Sequence, residues 1–194
     1  MSTTEFVHLH LHTEYSLLDG ACRIGELLDH AEQSGAPALA VTEHGNLFSS
    51  VIFHDEARKR GVKPILGCEV YVANGSRHAR SGTPGDTNNH LVLLAENLIG
   101  YHNLIKLVSA GYTEGFYYKP RIDKDLLAEH AEGLIGLSSC LKGEVATGLR
   151  TEQPRKALEA AGTFRDILGA GNFFLEMQYQ GIEEQRIVNT GLQP

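Results

Sequence analysis

The sequence has few cysteines, no long apolar run and fewer basic than acidic residues. Its three cysteines, Cys22, Cys68 and Cys140, lie far apart and form no CxxC pair, so neither a disulfide framework nor a zinc ribbon is indicated. No apolar run approaches the roughly 20 residues of a membrane span, and the N-terminus lacks the basic start and apolar core of a signal peptide. These absences predict a cytoplasmic protein in reducing surroundings, without a membrane partner.

Basic residues are also outnumbered by acidic ones, 17 Lys and Arg against 24 Asp and Glu. The formal net charge of -7 argues against a domain that grips nucleic acid through a broad positive field, so any contact with DNA has to be local. The chain has none of the bias towards Pro, Ser or charge that marks disorder, and its 194 residues suit one globular domain.

Short apolar runs alternate with longer amphipathic ones, which is typical of βα units around a mostly parallel sheet or barrel. The first predicted strand carries FVHLHLH, and further strands are predicted at 38–44, 63–73, 90–96, 133–140 and 172–179. Helices are predicted at 23–34, 49–60 and 98–110. Two segments, 75–89 and 111–123, are predicted to be loops because they are rich in turn-forming residues.

Histidines occupy every second position of the first apolar run, at His8, His10 and His12. Side chains of a strand alternate between its faces, so a strand here would turn all three imidazoles towards one place. The alternative is a solvated strand face that happens to be rich in histidine.

Residues of the types that bind metals cluster near the carboxyl ends of the predicted strands. In parallel α/β folds this is where residues far apart in sequence converge on one site. His90 fits the rule least well, because it begins its strand. The set consists of His10, His12, Asp19, His44, Glu69, His90 and Cys140.

Seven such ligands are too many for one tetrahedral ion. Imidazole and thiolate suit zinc and its neighbours, while carboxylates can bridge two ions. Two or three metals a few ångströms apart are typical of phosphoester hydrolysis. Taken singly, each residue has another explanation: His44 could cap a helix, Cys140 could be a small core residue, and Glu69 could form a surface ion pair.

The loop at 111–123 is aromatic and basic together. It contains Tyr117, Lys119 and Arg121. Two interpretations stay open: a surface loop anchored by its tyrosines, or a lip that faces the substrate.

Several motifs carry a resemblance to a known family. The sequence resembles the polymerase and histidinol phosphatase (PHP) domain, and more narrowly the PHP domains at the N-terminus of bacterial replicative DNA polymerases. The motifs are HLHLHTEYSLLDG, TEHGNLF, GCEVYV, HLVLLAEN, FYYKPRID and LSSCLKGE.

This resemblance implies a distorted, TIM-like (β/α)7 barrel with up to three divalent ions, zinc or manganese. His10 and His12 would hold the first ion, and Glu69 would bridge the first and second. His90 and Cys140 would complete the second, while Asp19 and His44 would bind the third. His8 would lie outside this set as a supporting residue, and Glu43 stands where the family often has Asp.

The family's last motif, an Asp-x-His at the final strand, is absent from the sequence. We therefore expect residues 1–194 to be a PHP domain truncated before its last strand, without the polymerase palm, fingers and thumb. Ligand loss would weaken metal binding.

The resemblance also implies a function in DNA replication. The intact protein would be a DNA-directed DNA polymerase, and this domain a metal-dependent 3'-5' exonuclease used in proofreading. Its partners would be the DNA 3' end, the rest of the polymerase chain and other replisome subunits. The alternatives are a non-catalytic, metal-stabilised platform for the polymerase and a proofreading subunit, and a free-standing small-molecule phosphatase.

Overall fold

The computed structural model describes residues 6–82 and 88–193. In this part of the chain six strands form one sheet, flanked by seven helices. The strands are β1 (Ala38–His44), β2 (Lys63–Ala73), β3 (Asn88–Ala95), β4 (Arg121–Ile122), β5 (Leu134–Leu137) and β6 (Phe173–Phe174). The helices are α1 (Ile24–Ser34), α2 (Ser50–Lys59), α3 (Leu98–Thr113), α4 (Lys124–Glu129), α5 (Glu144–Arg150), α6 (Pro154–Leu168) and α7 (Glu183–Gly191).

The sheet follows the order β1-β2-β3-β5-β6, and β4 pairs with the far end of β2. The α/β class predicted from the sequence is confirmed, although the sheet is less uniformly parallel than expected. β3 runs antiparallel to both β2 and β5, whereas the pairs β1–β2, β2–β4 and β5–β6 are parallel.

The reversed direction of β3 explains the position of His90. An antiparallel strand begins at the edge where its parallel neighbours end. His90 therefore pairs with Tyr71 near the end of β2, and His44 at the end of β1 pairs with Glu69. The residue that fitted the carboxyl-end rule least well reaches the same edge as the others.

The first predicted strand is wrong. Residues 6–12 form no regular strand; they follow β1 through two hydrogen bonds, from Ala40 N to His8 O and from Thr42 N to Leu11 O, both within 2.9 Å. These bonds are two residues apart on β1 but three apart on the segment. The extra residue disrupts the two-residue alternation, as a β-bulge does, and separates His8 from the face shared by His10 and His12.

The two outer edges of the sheet approach each other. His10 lies beside β1, and Glu176 lies just beyond β6, yet their side chains are 2.7 Å apart, from Nδ1 to Oε1. This contact shows that the sheet is curved, as expected of the distorted barrel that the family resemblance implies.

Apolar packing covers the sheet on both sides. β1 is buried at every position except His44, as expected of a strand between two layers. Helices α1 and α2 pack against β1 around Leu28 and Phe53. The larger core lies between β2, β3, β5 and the helices α3, α4 and α6, with Leu91 and Leu93 at its centre.

Local capping signals set the starts and ends of the helices within a few residues of the predicted positions. Gly35, with a φ of 70°, closes α1. The side chain of Asn97 caps α3 by accepting from Gly100 N at 3.0 Å. α3 continues to Thr113, so the loop predicted at 111–123 is shorter and contains β4.

The other predicted loop, 75–89, includes residues 83–87, which lie outside the described part of the chain, while Asn88 and Asn89 belong to β3. Among the described residues, no helix combines the length and apolar character needed to cross a bilayer.

Candidate metal centre

The centre of the site is Glu69, a carboxylate in the middle of β2 that is only 1% exposed. Its Oε2 lies 2.6 Å from Nε2 of His10 and 3.0 Å from Nε2 of His12. Its Oε1 contacts Nδ1 of His90. Three imidazoles, two from the N-terminal segment and one from β3, therefore share one buried carboxylate.

A second group lies beside the first. His44 Nδ1 is 3.7 Å from Glu69 Oε2, and His44 Nε2 is 3.2 Å from Asp19 Oδ2. The rings of His12 and His44 stack at 3.9 Å between centroids. Asp19 is the most exposed member of the set, because it lies in the loop after the first histidines.

Cys140 completes the cluster. Its Sγ lies 3.6 Å from Nδ1 of His90 and 3.9 Å from Oε1 of Glu69. It follows the short strand β5, which pairs with β3 and so approaches His90. All seven residues expected to bind metal are thus linked by contacts in one region.

Sequence reasoning missed two residues of this region, Glu176 and Gln178. Glu176 Oε1 contacts His10 Nδ1 at 2.7 Å, and Gln178 Nε2 lies 3.2 Å from the same nitrogen. The backbone N–H of Glu176 donates to Ser138 Oγ at 2.8 Å, which holds this segment against the end of β5. Their two-residue spacing within the strand predicted at 172–179 was the available signal.

Burial and contacts together shift the ionisation of these groups. Burial favours a lower pKa for His10, but hydrogen bonds to Glu176 and Glu69 outweigh it and raise the pKa to about 10. Burial acts the same way on His90, whose contacts with Cys140 and Glu69 raise its pKa to about 9. Burial would raise the pKa of Glu69, yet the surrounding histidines hold it far below the usual range. A bound cation competes with these protons for the same lone pairs, so metal binding should release protons and strengthen as pH rises.

The donor set fits divalent transition metals. Two groups have ligand atoms within 4.8 Å of one another: His10, His12 and Glu69, and His44, Glu69 and His90. Within the described residues, His12 Nδ1, His44 Nδ1 and Glu176 Oε2 are buried atoms without a hydrogen-bond partner. Buried polar atoms are normally paired, so unpaired ligand atoms at the cluster indicate room for cations. Glu69 belongs to both groups, which is the position of a bridging carboxylate.

Glu43, the neighbour of His44, does not face this cluster. It is 1% exposed, and its carboxylate accepts hydrogen bonds from Thr13 N at 3.1 Å, Thr13 Oγ1, Ser16 Oγ at 2.5 Å and Ser49 Oγ at 2.9 Å. Ser16 Oγ in turn accepts from the backbone N–H of His44 at 3.1 Å. Glu43 therefore ties the loop between His12 and Asp19 to the end of β1.

The other predicted supporting residues have different surroundings. His8 lines a separate cavity of about 440 Å³ with Leu27 and His30 of α1, so it does not orient a metal ligand in this structure. Arg121 is not a substrate contact: it is 2% exposed, and its guanidinium donates to three backbone carbonyls. Tyr117 packs its ring on Arg121 and donates to Gly82 O, whereas Lys119 faces the cavity described next.

A cavity of about 910 Å³ opens beside Asp19, His44 and His90. Half of its other lining residues are aromatic or basic. They include Tyr15, Phe48, Tyr71, Tyr112, Phe116, Tyr118, Lys119, Lys142 and Arg150.

A cluster of histidines around one buried carboxylate, at the edge of an α/β sheet, suits the divalent ions of metal-dependent phosphoesterase-type domains. The chain belongs to the PHP domain family, whose pattern matches residues 8–180. The resemblance predicted from the motifs is thereby confirmed.

Curated relatives place it within that family. It is 48% identical over 189 residues to the DNA polymerase III subunit alpha of Treponema pallidum, covering 97% of this chain and 16% of the relative. It is 44% identical to the same subunit of Aquifex aeolicus and 42% identical to that of Saccharopolyspora erythraea, with 17% and 18% of those chains covered. The chain matches the N-terminal PHP region of these subunits and spans about a sixth of their length.

A solved structure supports the fold. A protein from Bifidobacterium adolescentis, assigned as a metal-dependent phosphoesterase, superposes with a TM-score of 0.51 at 12% identity. The match covers 95% of this chain and 82% of that protein.

Proposed function

We propose that residues 1–194 belong to the PHP domain of a bacterial replicative polymerase and that the site of this domain is a metal-dependent 3'-5' exonuclease used in proofreading. The observation that carries the proposal is the shared position of Glu69, within 3.7 Å of His10, His12 and His44 and in contact with His90. Its partners would be a DNA 3' end, the rest of the polymerase chain and other replisome subunits, in the cytoplasm.

The residues divide into two overlapping sets. His10 and His12 would hold one ion with Glu69, while His44 or His90 with Glu69 would hold a second. The contacts of Cys140 with His90 and of Asp19 with His44 support up to three ions, zinc or manganese. Such ions supply an activated water and neutralise charge on the phosphate.

The shape of the neighbouring cavity supports a nucleic acid rather than a small phosphomonoester. Its volume of about 910 Å³ lies at the upper end of the range for small-molecule pockets. The side chain of Asp19 in its wall is 64% exposed. The aromatic and basic walls of the cavity are the combination that binds single-stranded nucleic acid by stacking and phosphate contacts.

The test is hydrolysis of a 5'-labelled single-stranded oligonucleotide, with manganese or zinc, by the 194-residue chain and by a version lengthened to carry the family's Asp-x-His motif, in which stronger metal binding is expected. Shortening from the 3' end is expected, and Glu69→Gln should abolish it because both groups lose their common ligand. Glu159→Gln, an exposed carboxyl change on α6, is the matched control.

A parallel measurement of thermal stability separates the alternatives. If chelation lowers the melting temperature while neither the 194-residue chain nor the lengthened version hydrolyses DNA, the site is a metal-stabilised platform. Rapid hydrolysis of small phosphomonoesters with no action on DNA would instead favour a small-molecule phosphatase.

A further inference from the structure

Tyr118 has an unusual backbone conformation. Its φ is 61°, in the left-handed region that bulky L residues rarely adopt. Such conformations persist only when the surroundings impose them, and they concentrate at functional sites. Tyr118 is also 55% exposed, so burial of its ring in the core does not explain the conformation.

The segment 115–121, called the tyrosine turn below, is held from beneath. Tyr117 N donates to Lys119 O at 3.1 Å and closes the turn around its tip. The buried guanidinium of Arg121 donates to Gly115 O at 3.1 Å and to two carbonyls of residues 77–79. The turn is therefore organised before any ligand arrives, which reduces the entropy lost on binding.

The tyrosine turn packs directly against the metal centre. A Cβ on Gly45, the residue after His44, would come within 2.9 Å of both Pro120 and Tyr71. The ring of Tyr71 is parallel to that of His44 at 6.4 Å, and Lys119 Nζ lies 5.3 Å from the Tyr71 centroid. Lys119 thus contacts the Tyr71 ring, which in turn lies beside His44, a predicted metal ligand.

The charge of the cavity differs from that of the chain. The net charge is -7, yet among the described residues the cavity walls carry Lys119, Lys142 and Arg150 against one carboxylate, Asp19. A positively charged wall beside a metal centre suits the phosphate groups of the strand on either side of the bond that is hydrolysed.

We infer that the tyrosine turn is a binding subsite for single-stranded nucleic acid, in which Tyr118 stacks on a base near the 3' end and Lys119 contacts the adjoining phosphate. This inference rests on the proposed function, because it assigns the substrate strand to the cavity beside the metal centre. Stacking tolerates any base, as a proofreading site requires, since every base has a π face.

Binding of a fluorescent single-stranded oligodeoxynucleotide, measured by anisotropy in the presence of a chelator, tests the subsite without hydrolysis. Tyr118→Gly removes the ring and relieves the left-handed strain, so the fold is retained. It should weaken binding between about 5-fold and about 140-fold, the loss of one stacked base. Tyr118→Phe keeps the ring and should bind as the parent chain does.

An oligonucleotide with abasic residues at its 3' end supplies the second arm. Without bases to stack, Tyr118→Gly should cost no affinity. An equal loss with both oligonucleotides would overturn the stacking role.

The phosphate contact is tested by salt dependence. Lys119→Ala should reduce the slope of log affinity against log salt by about 0.7, the value for one phosphate contact on a single strand. Lys156→Ala, an exposed charge change on α6, should leave the slope unchanged. Equal slopes for both variants would overturn the contact.

Failure of the subsite and failure of the proposed function give different results. Normal binding by Tyr118→Gly and Lys119→Ala, with DNA still hydrolysed by the metal-loaded parent chain, overturns the subsite alone. Binding that depends on both residues, with no hydrolysis under any metal, leaves the subsite and overturns the exonuclease.

Discussion

Replacing Glu43 should destabilise the protein far more than its position next to a predicted ligand suggests. The carboxylate accepts from one backbone N–H, of Thr13, and from the hydroxyls of Thr13, Ser16 and Ser49. All four residues are at most 2% exposed, so water cannot replace a lost partner.

The expected cost of Glu43→Ala follows from these partners. Hydroxyl groups can rotate towards other acceptors, but the Thr13 N–H cannot, and a buried unsatisfied donor costs about 1–3 kcal/mol. The deleted side chain also leaves a cavity. Together these effects predict a loss of about 3–5 kcal/mol, the range for breaking a buried polar network.

Glu43→Gln should be milder because of the arrangement of donors around the two oxygens. Oε1 receives only hydroxyls, from Thr13 and Ser49, and hydroxyls can turn to accept from an amide NH2. Oε2 receives the Thr13 N–H and Ser16, and the amide oxygen can replace it. Only the charge assistance of those bonds is lost, about 1–2 kcal/mol.

Denaturant unfolding of the 194-residue chain measures these differences, with Glu159→Ala as a control expected to stay within about 0.5 kcal/mol. Because Glu43 ties the His12–Asp19 loop to β1, Glu43→Ala should also weaken manganese binding in a titration. Equal stability of the alanine and glutamine variants, or a loss below about 1 kcal/mol in both, would refute the reasoning.

Two further predictions concern ionisation. Burial favours a higher pKa for Asp123, which caps α4, but two backbone amides and a guanidinium outweigh it and lower the pKa. A carboxyl group with a lowered pKa contributes stability that is fully present above its ordinary pKa and is lost as the pH falls through the lowered pKa of the folded state. The stability difference between the parent and Asp123→Asn should therefore shrink in acid. A constant difference in acid unfolding curves would contradict this. Burial would raise the pKa of Cys140, but its contact with a histidine outweighs it and lowers the pKa, whereas burial raises the pKa of Cys68. In a Cys22→Ser chain with chelator, mass spectrometry should show that Cys140 is alkylated before Cys68, and manganese should suppress the alkylation of Cys140. Alkylation of Cys140 that manganese does not reduce would show that this residue is not part of the metal centre.

Local sequence patterns predicted much of the framework. The bounds of β1 and β2 agree with the predicted 38–44 and 63–73, because continuous apolar runs bounded by turn residues specify buried strands wherever they pair. The same placement put His44 at the end of a strand and Glu69 within one.

Pairings between distant segments decided the rest of the site. The bulge beside β1 removed His8 from the histidine face, and the reversed β3 brought His90 to the metal edge. Glu176 reaches His10 only because the sheet curves until its outer edges meet.

The sequence by itself determined the types of chemical group and the strands that carry them, since composition and short-range periodicity express local preferences. The tertiary structure alone decided that Tyr118 stands in a left-handed conformation above the cavity, while Arg121 is buried beneath it. Both residues lie in one short aromatic and basic segment. The direction of each side chain depends on carbonyls and rings contributed by segments far away in the chain, which no local pattern specifies.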